Sequence, residues 1–105
     1  MLLEEYNFRR EVLDDPGPVL VDFWAEWCPP CRMMNPAVES LSRRFKVCKV
    51  NLDTNQPLAA KFRVEAVPTL LIFKGGQVVK RYQGVTPEET LRTDLEALTL
   101  SEPEA

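Results

Sequence analysis

Histidine is absent from the 105 residues, and cysteine occurs only three times. These absences exclude a Cys–His nucleophile pair, a Ser–His–Asp triad and any histidine metal ligand. Structural zinc takes about four cysteine or histidine ligands, which three cysteines cannot supply. Long apolar runs are missing too: none approaches the ~20 residues of a membrane span, so no membrane partner is expected. Basic residues form only short pairs, such as Arg43-Arg44 and Lys80-Arg81, and the net charge is −3, which argues against nucleic acid as a partner. Met1-Leu2-Leu3-Glu4-Glu5 has neither the basic head nor the apolar stretch of a signal peptide, so the expected location is the cytoplasm.

What is present suffices for one core. Hydrophobic residues make up 45% and charged residues 28%, an ordinary globular balance, and residues 1–105 are read as one domain. Leu3 to Leu13 reads as an amphipathic helix, or a short strand leading into one, stopped by Asp14-Asp15-Pro16-Gly17-Pro18. Pro18 to Ala25 is nearly all apolar and rich in β-formers, as a strand covered on both faces must be. A helix is expected from Cys28 to Phe45, with Met34, Ala37, Val38, Leu41 and Phe45 on one face and a kink at Pro36. Val47 to Leu52 reads as a second buried strand, parallel to the first because a helix joins them.

Asn55-Gln56-Pro57 then opens a helix with Leu58, Ala59 and Phe62 turned inward. Thr69 to Lys74 and Gln77 to Tyr82 flank Gly75-Gly76, the mark of a two-residue antiparallel hairpin. Thr86-Pro87-Glu88-Glu89 combines an N-cap, a proline at N1 and a capping-box glutamate, opening a helix to Leu98 with Leu91, Leu95 and Leu98 inward. Ser101 to Ala105 reads as a tail. The fold class is α/β, a central mixed sheet with helices on both faces.

Trp27-Cys28-Pro29-Pro30-Cys31 carries the chemistry. Residues i and i+3 share one side of a helical turn, with Cα atoms roughly 5–6 Å apart, inside disulfide range. A bridge over so short a loop stabilises by only about 2 kcal/mol, which suits a pair that opens and closes better than a staple. The thiolate is the nucleophile. Cys28, as N-cap, would face the positive end of the helix and the Cys31 and Arg32 amides, Pro29 and Pro30 having none, for about one or two units of pKa depression. Cys31, expected a turn deeper and less exposed, would resolve the mixed disulfide and needs a base. Asp22 interrupts an apolar strand leading to the site and is one candidate, its pKa raised by burial. The bland alternative is a strand-end aspartate that reaches water or caps a helix. Lys49, on the neighbouring strand, could pair with Asp22 or face solvent.

Val21 to Arg32 (V-D-F-W-A-E-W-C-P-P-C-R), then Lys49-Val50-Asn51-Leu52-Asp53, Val67-Pro68-Thr69-Leu70, Phe73-Lys74-Gly75-Gly76 and Gly84 together resemble the thioredoxin family over nearly the whole chain. The resemblance implies a thioredoxin fold and a protein thiol–disulfide oxidoreductase without a cofactor or metal. Electrons would come from a thioredoxin reductase, an NADPH-dependent flavoprotein, and go to protein disulfides, with the protein working as a monomer. It makes Asp22 the buried acid serving Cys31 and Pro68 a cis-proline beside the dithiol. Trp27, Val67, Pro68 and Gly84 become the surface on which an extended substrate lies, Val67 pairing through its backbone. Trp24 is read as core packing.

Several residues depart from the family pattern. Pro29 replaces the glycine between the cysteines and Arg32 the lysine after them, so Pro29, Pro30 and Lys49 are candidates for tuning the redox poise. The first strand is expected to be short, and the connection into Val47 tight. Cys48, mid-strand, reads as a small buried hydrophobe. Met33-Met34 reads as packing with one exposed flank. Other readings are an oxidant or isomerase using the same bridge, a binding module with incidental redox activity, and an iron–sulfur carrier assembled across a dimer.

Overall fold

A computed structural model describes residues 1–100; the tail expected at Ser101–Ala105 lies outside the described residues. Five strands form one sheet in the order β1-β3-β2-β4-β5: β1 Leu2–Leu3, β2 Val19–Trp24, β3 Lys46–Asn51, β4 Thr69–Lys74 and β5 Gln77–Gln83. β2 is parallel to β3 and antiparallel to β4, so the mixed sheet is as expected. β1 is indeed short, two residues paired parallel to β3. The hairpin turn has Gly75 at φ +61° and Gly76 at φ +80°, the left-handed pair that a two-residue connection requires.

β2 builds both cores because its alternate side chains face opposite ways. Val19, Val21 and Phe23 join Cys48 and Val50 of β3, Leu71 and Phe73 of β4, and Phe8 and Val12 from the N-terminal helical segment. Leu20 joins Val47, Leu70 and Ile72 on the other face, beneath Met34, Val38, Leu41, Leu91 and Leu95. The N-terminal segment is a strand leading into a helix: α1 Glu5–Phe8 runs into a π-helical turn, Arg9–Leu13. Helix α4 is Gln56–Lys61, and α5 is Glu88–Leu100.

Two expectations are corrected. The helix expected from Cys28 to Phe45 is two pieces, α2 Pro29–Met33 and α3 Asn35–Leu41, broken at Met34. Pro36 explains the break: it has no N–H to reach back one turn, and its ring crowds the carbonyl four residues earlier. The expected capping box of α5 is also not made. The Thr86 hydroxyl donates to the Gly84 carbonyl at 3.0 Å, and the Glu89 carboxylate takes Arg92 instead.

Candidate active site

β2 ends at Trp24, and the chain passes through Ala25, Glu26 and Trp27 before Cys28 caps α2. Cys28 is extended (φ −103°, ψ 101°), and Pro29 and Pro30 fill the first two helical positions, where no N–H is needed. Cys28 and Cys31 are joined by a disulfide with Cα atoms 5.3 Å apart. The Cys31 N–H is shared between Cys28 Sγ and the Cys28 carbonyl oxygen, at 3.1 Å each. Arg32, the second donor expected at that sulfur, gives its N–H to the Cys28 carbonyl at 3.3 Å, the ordinary helical bond. Its guanidinium ties down the entry loop by donating to the Glu26 carbonyl at 2.7 Å.

The expected contrast in depth between the sulfurs is absent from this disulfide form: Cys28 is 2% exposed and Cys31 3%. Trp24, Ala25 and Val67 pack around both. Their surroundings still differ. Cys31 lines a cavity of about 460 Å³ that Cys28 does not, shared with Trp24, Arg32, Asn35 and Lys49.

Asp22 and Lys49 are register partners on β2 and β3, on the sheet face that α3 and α5 cover. Asp22 is buried, and neither carboxylate oxygen has a hydrogen-bond partner among the described residues. Burial pushes its pKa up to about 6, against the opposing pull of the Lys49 charge. The bland reading, an aspartate reaching water or capping a helix, therefore fails. No hydrogen bond joins Asp22 to Cys31 in this form. Lys49 makes no ion pair with Asp22, though its charge acts on that carboxyl. Its ammonium bonds Asn35 Oδ1 at 3.2 Å and lies 4.9 Å from the centre of the Trp24 ring. Trp24 is corrected from core to site: it is half-buried against the dithiol, outside both main cores.

On the other flank the Val67–Pro68 peptide is cis. Val67 touches the dithiol cluster, and the Pro68 carbonyl accepts the Gly84 N–H at 2.8 Å, so Val67, Pro68 and Gly84 converge. Pro68 is buried, so the accessible surface is Trp27, half-buried Val67 and Gly84 rather than the proline ring. Trp27 is 64% exposed, yet its indole N–H is held by Asp53 Oδ2 at 2.8 Å. Asp53 and Asn35 were not singled out by function in the sequence; their signals were an aspartate just past β3 and an asparagine preceding Pro36.

A family profile described as Thioredoxin matches residues 1–97. The chain belongs to the thioredoxin family. It is 48% identical to thioredoxin 1 of Nostoc sp. over 94 residues, 86% of this chain and 88% of that one. Thioredoxin of Synechocystis sp. is 45% identical over 98 residues, 90% of this chain and 92% of the relative. A solved mutant thioredoxin from Halobacterium salinarum superposes with a TM-score of 0.89 at 35% identity, covering 98% of this chain and 93% of that one. Thioredoxins are protein-disulfide oxidoreductases, and the bridged pair at the head of α2 gives this member the chemistry of thiol–disulfide exchange. No helix among the described residues is long and apolar enough to cross a membrane.

Proposed function

We propose that the protein is a disulfide reductase in which Cys28 attacks and Cys31 resolves. The observation that carries this assignment is the Cys31 N–H donated to Cys28 Sγ at the cap of α2. A donor aimed at a sulfur favours its anion, and only the anion attacks. With no N–H on Pro29 or Pro30, this amide is the first-turn donor available to the sulfur. The Cys28 thiolate forms a bond to one sulfur of a substrate disulfide, the substrate S–S bond breaks, and the departing sulfur takes a proton. Cys31 then loses its proton, attacks Cys28 Sγ and expels the second substrate thiol. Two electrons have moved from the dithiol to the substrate, and the Cys28–Cys31 bridge remains.

Asp22 accepts the Cys31 proton in this reading. A carboxyl with a pKa of about 6 is mostly ionised at neutral pH, yet basic enough to take a proton. Trp27, Val67, Pro68 and Gly84 receive an extended substrate segment. Among the described residues no partner takes the Val67 backbone groups, which leaves them for a substrate strand. An NADPH-dependent flavoprotein reductase restores the dithiol, and the protein works as a cytoplasmic monomer.

The test is reduction of insulin disulfides with a thioredoxin reductase and NADPH. Cys28→Ser abolishes turnover, whereas Cys31→Ser accumulates a mixed disulfide that mass spectrometry detects. Turnover retained by Cys28→Ser would reverse the assignment. A Cys28 thiol alkylated at neutral pH no faster than free cysteine would remove its physical basis.

A further inference from the structure

Asp22 is buried without a hydrogen bond from any of the described residues, and a cation stands on the adjacent strand, directly opposite in register. An unpartnered carboxylate in a dry site attracts any flexible ammonium within reach. Lys49 nevertheless makes no ion pair with it. The amine is engaged by Asn35 Oδ1 at 3.2 Å and by the π face of Trp24, 4.9 Å from its centroid. Asn35 is the first residue of α3, placed there by the break at Met34, and it lines the same cavity as Cys31 and Lys49.

We propose that Asn35 is a positioning residue for the exchange reaction: its side-chain carbonyl holds the Lys49 ammonium on Trp24 and off the Asp22 carboxylate. Competition between acceptors is the physical basis. Asn35 and the Trp24 ring are each weaker partners for an ammonium than a carboxylate is, so together they hold Lys49 and singly they do not. Around Asp22, β4 sets the apolar Leu70 opposite, and Met34 and Val38 cover the same sheet face. Glu26 and Arg32 are the other charged groups lining the cavity, and the Arg32 guanidinium is already bonded to the Glu26 carbonyl. Lys49 is therefore the charge that opposes burial at Asp22, and its position sets how strongly it does so. This inference rests on the reading of Asp22 as proton acceptor for Cys31, since that acceptor works best while its pKa stays near neutrality.

The experiment titrates the Asp22 carboxyl by carbon-13 NMR in the oxidised protein, where neither Cys28 nor Cys31 ionises. Asn35 is exposed, so its replacement leaves the core intact. Asn35→Ala is expected to lower the Asp22 midpoint by about one pH unit, as Lys49 closes on it. Asn35→Asp, which keeps an acceptor in place, leaves the midpoint at or above the parent value. In a Lys49→Met background, Asn35→Ala has no effect. A second readout is the pH profile of product release from the mixed disulfide, whose acid limb moves with the Asp22 midpoint in Asn35→Ala. A midpoint unchanged or raised in Asn35→Ala overturns the proposal, as does a fall that persists in the Lys49→Met background. If Asp22→Asn releases product as fast as the parent at every pH, the acceptor reading fails instead. The NMR midpoints then still judge whether Asn35 governs the Lys49–Asp22 distance.

Discussion

Asp22 burdens the fold with a buried carboxyl that no donor among the described residues satisfies. Its pKa rises from 3.8 to about 6 on folding, chiefly through burial. Between those values the folded chain holds a proton that the unfolded chain has released, so stability falls as pH rises. The loss begins near pH 4 and is complete above about pH 7, where it amounts to about 2–3 kcal/mol. Asp22→Asn, of the same size but uncharged, should therefore be more stable than the parent by about that amount at pH 7–8, and equal to it near pH 3. Urea unfolding of both oxidised proteins across pH 3–8 measures this directly. A parent whose stability climbs between pH 4 and 6, with a parallel curve for Asp22→Asn, would show that the carboxyl is not desolvated. The same substitution removes the proposed proton acceptor, so the stabler protein should release product more slowly, the usual trade at a working site.

Helix α4 shows what a sequence reveals about an element and what it hides. Its start at Asn55-Gln56-Pro57 was legible because proline suits the first turn of a helix. Its end was not, because a left-handed residue closes it and that residue is Arg63 (φ +56°) rather than the glycine that would have announced it. The Val64 N–H reaches the Ala59 carbonyl at 2.8 Å and the Arg63 N–H the Ala60 carbonyl at 3.1 Å, a Schellman closure with Val64 and Ala59 in one core. A left-handed residue with a Cβ costs about 1–2 kcal/mol, part of which glycine returns as unfolded-chain entropy. Arg63→Gly should therefore stabilise by about 0.5–1 kcal/mol and Arg63→Val destabilise by at least as much, read as shifts in urea midpoint. An Arg63→Gly midpoint at or below the parent's would mean that the exposed Arg63 side chain contributes more than its backbone loses. Other features were hidden for similar reasons. Pro36 signalled a kink, but only three-dimensional crowding decides between a bend and the break at Met34. The strands, hairpin and dithiol were legible because nearly continuous runs of apolar β-formers, Gly75-Gly76 and Cys28-Pro29-Pro30-Cys31 each encode a local geometry. The roles of Asn35 and Asp53 depend on contacts 14 and 26 residues away along the chain, which no local pattern carries.

The two cores lie on opposite faces of one sheet, and Cys48 on β3 belongs to the one that holds Phe8 and Phe73, fully buried, with β1 and β2 on either side of its strand. Burial also raises its pKa, so the native thiol is both shielded and protonated. Reaching it requires separating β3 from the N-terminal helical segment and from its neighbouring strands, which dismantles most of the Phe8, Phe62 and Phe73 cluster. Those three rings pack edge-on or tilted with centroids 5.1–5.6 Å apart, each pair adding about 0.5–1.5 kcal/mol beyond simple burial. Cys48 is thus a reporter of cooperative opening, whereas Cys28 is a reporter of chemistry. In the reduced protein a thiol reagent should label Cys28 faster than free cysteine and Cys48 at least ~10³-fold more slowly, since domains of this kind open with several kcal/mol of free energy. Urea should accelerate Cys48 labelling with the same slope as global unfolding measured by circular dichroism, because both expose the same surface. A shallower slope would mean that β1, only two residues long, peels away by itself and admits the reagent through the sheet edge. Met1 argues against that route: its carbonyl takes the Lys49 N–H at 2.7 Å and its amine reaches the Val47 carbonyl at 3.1 Å, closing the edge on both sides of Cys48.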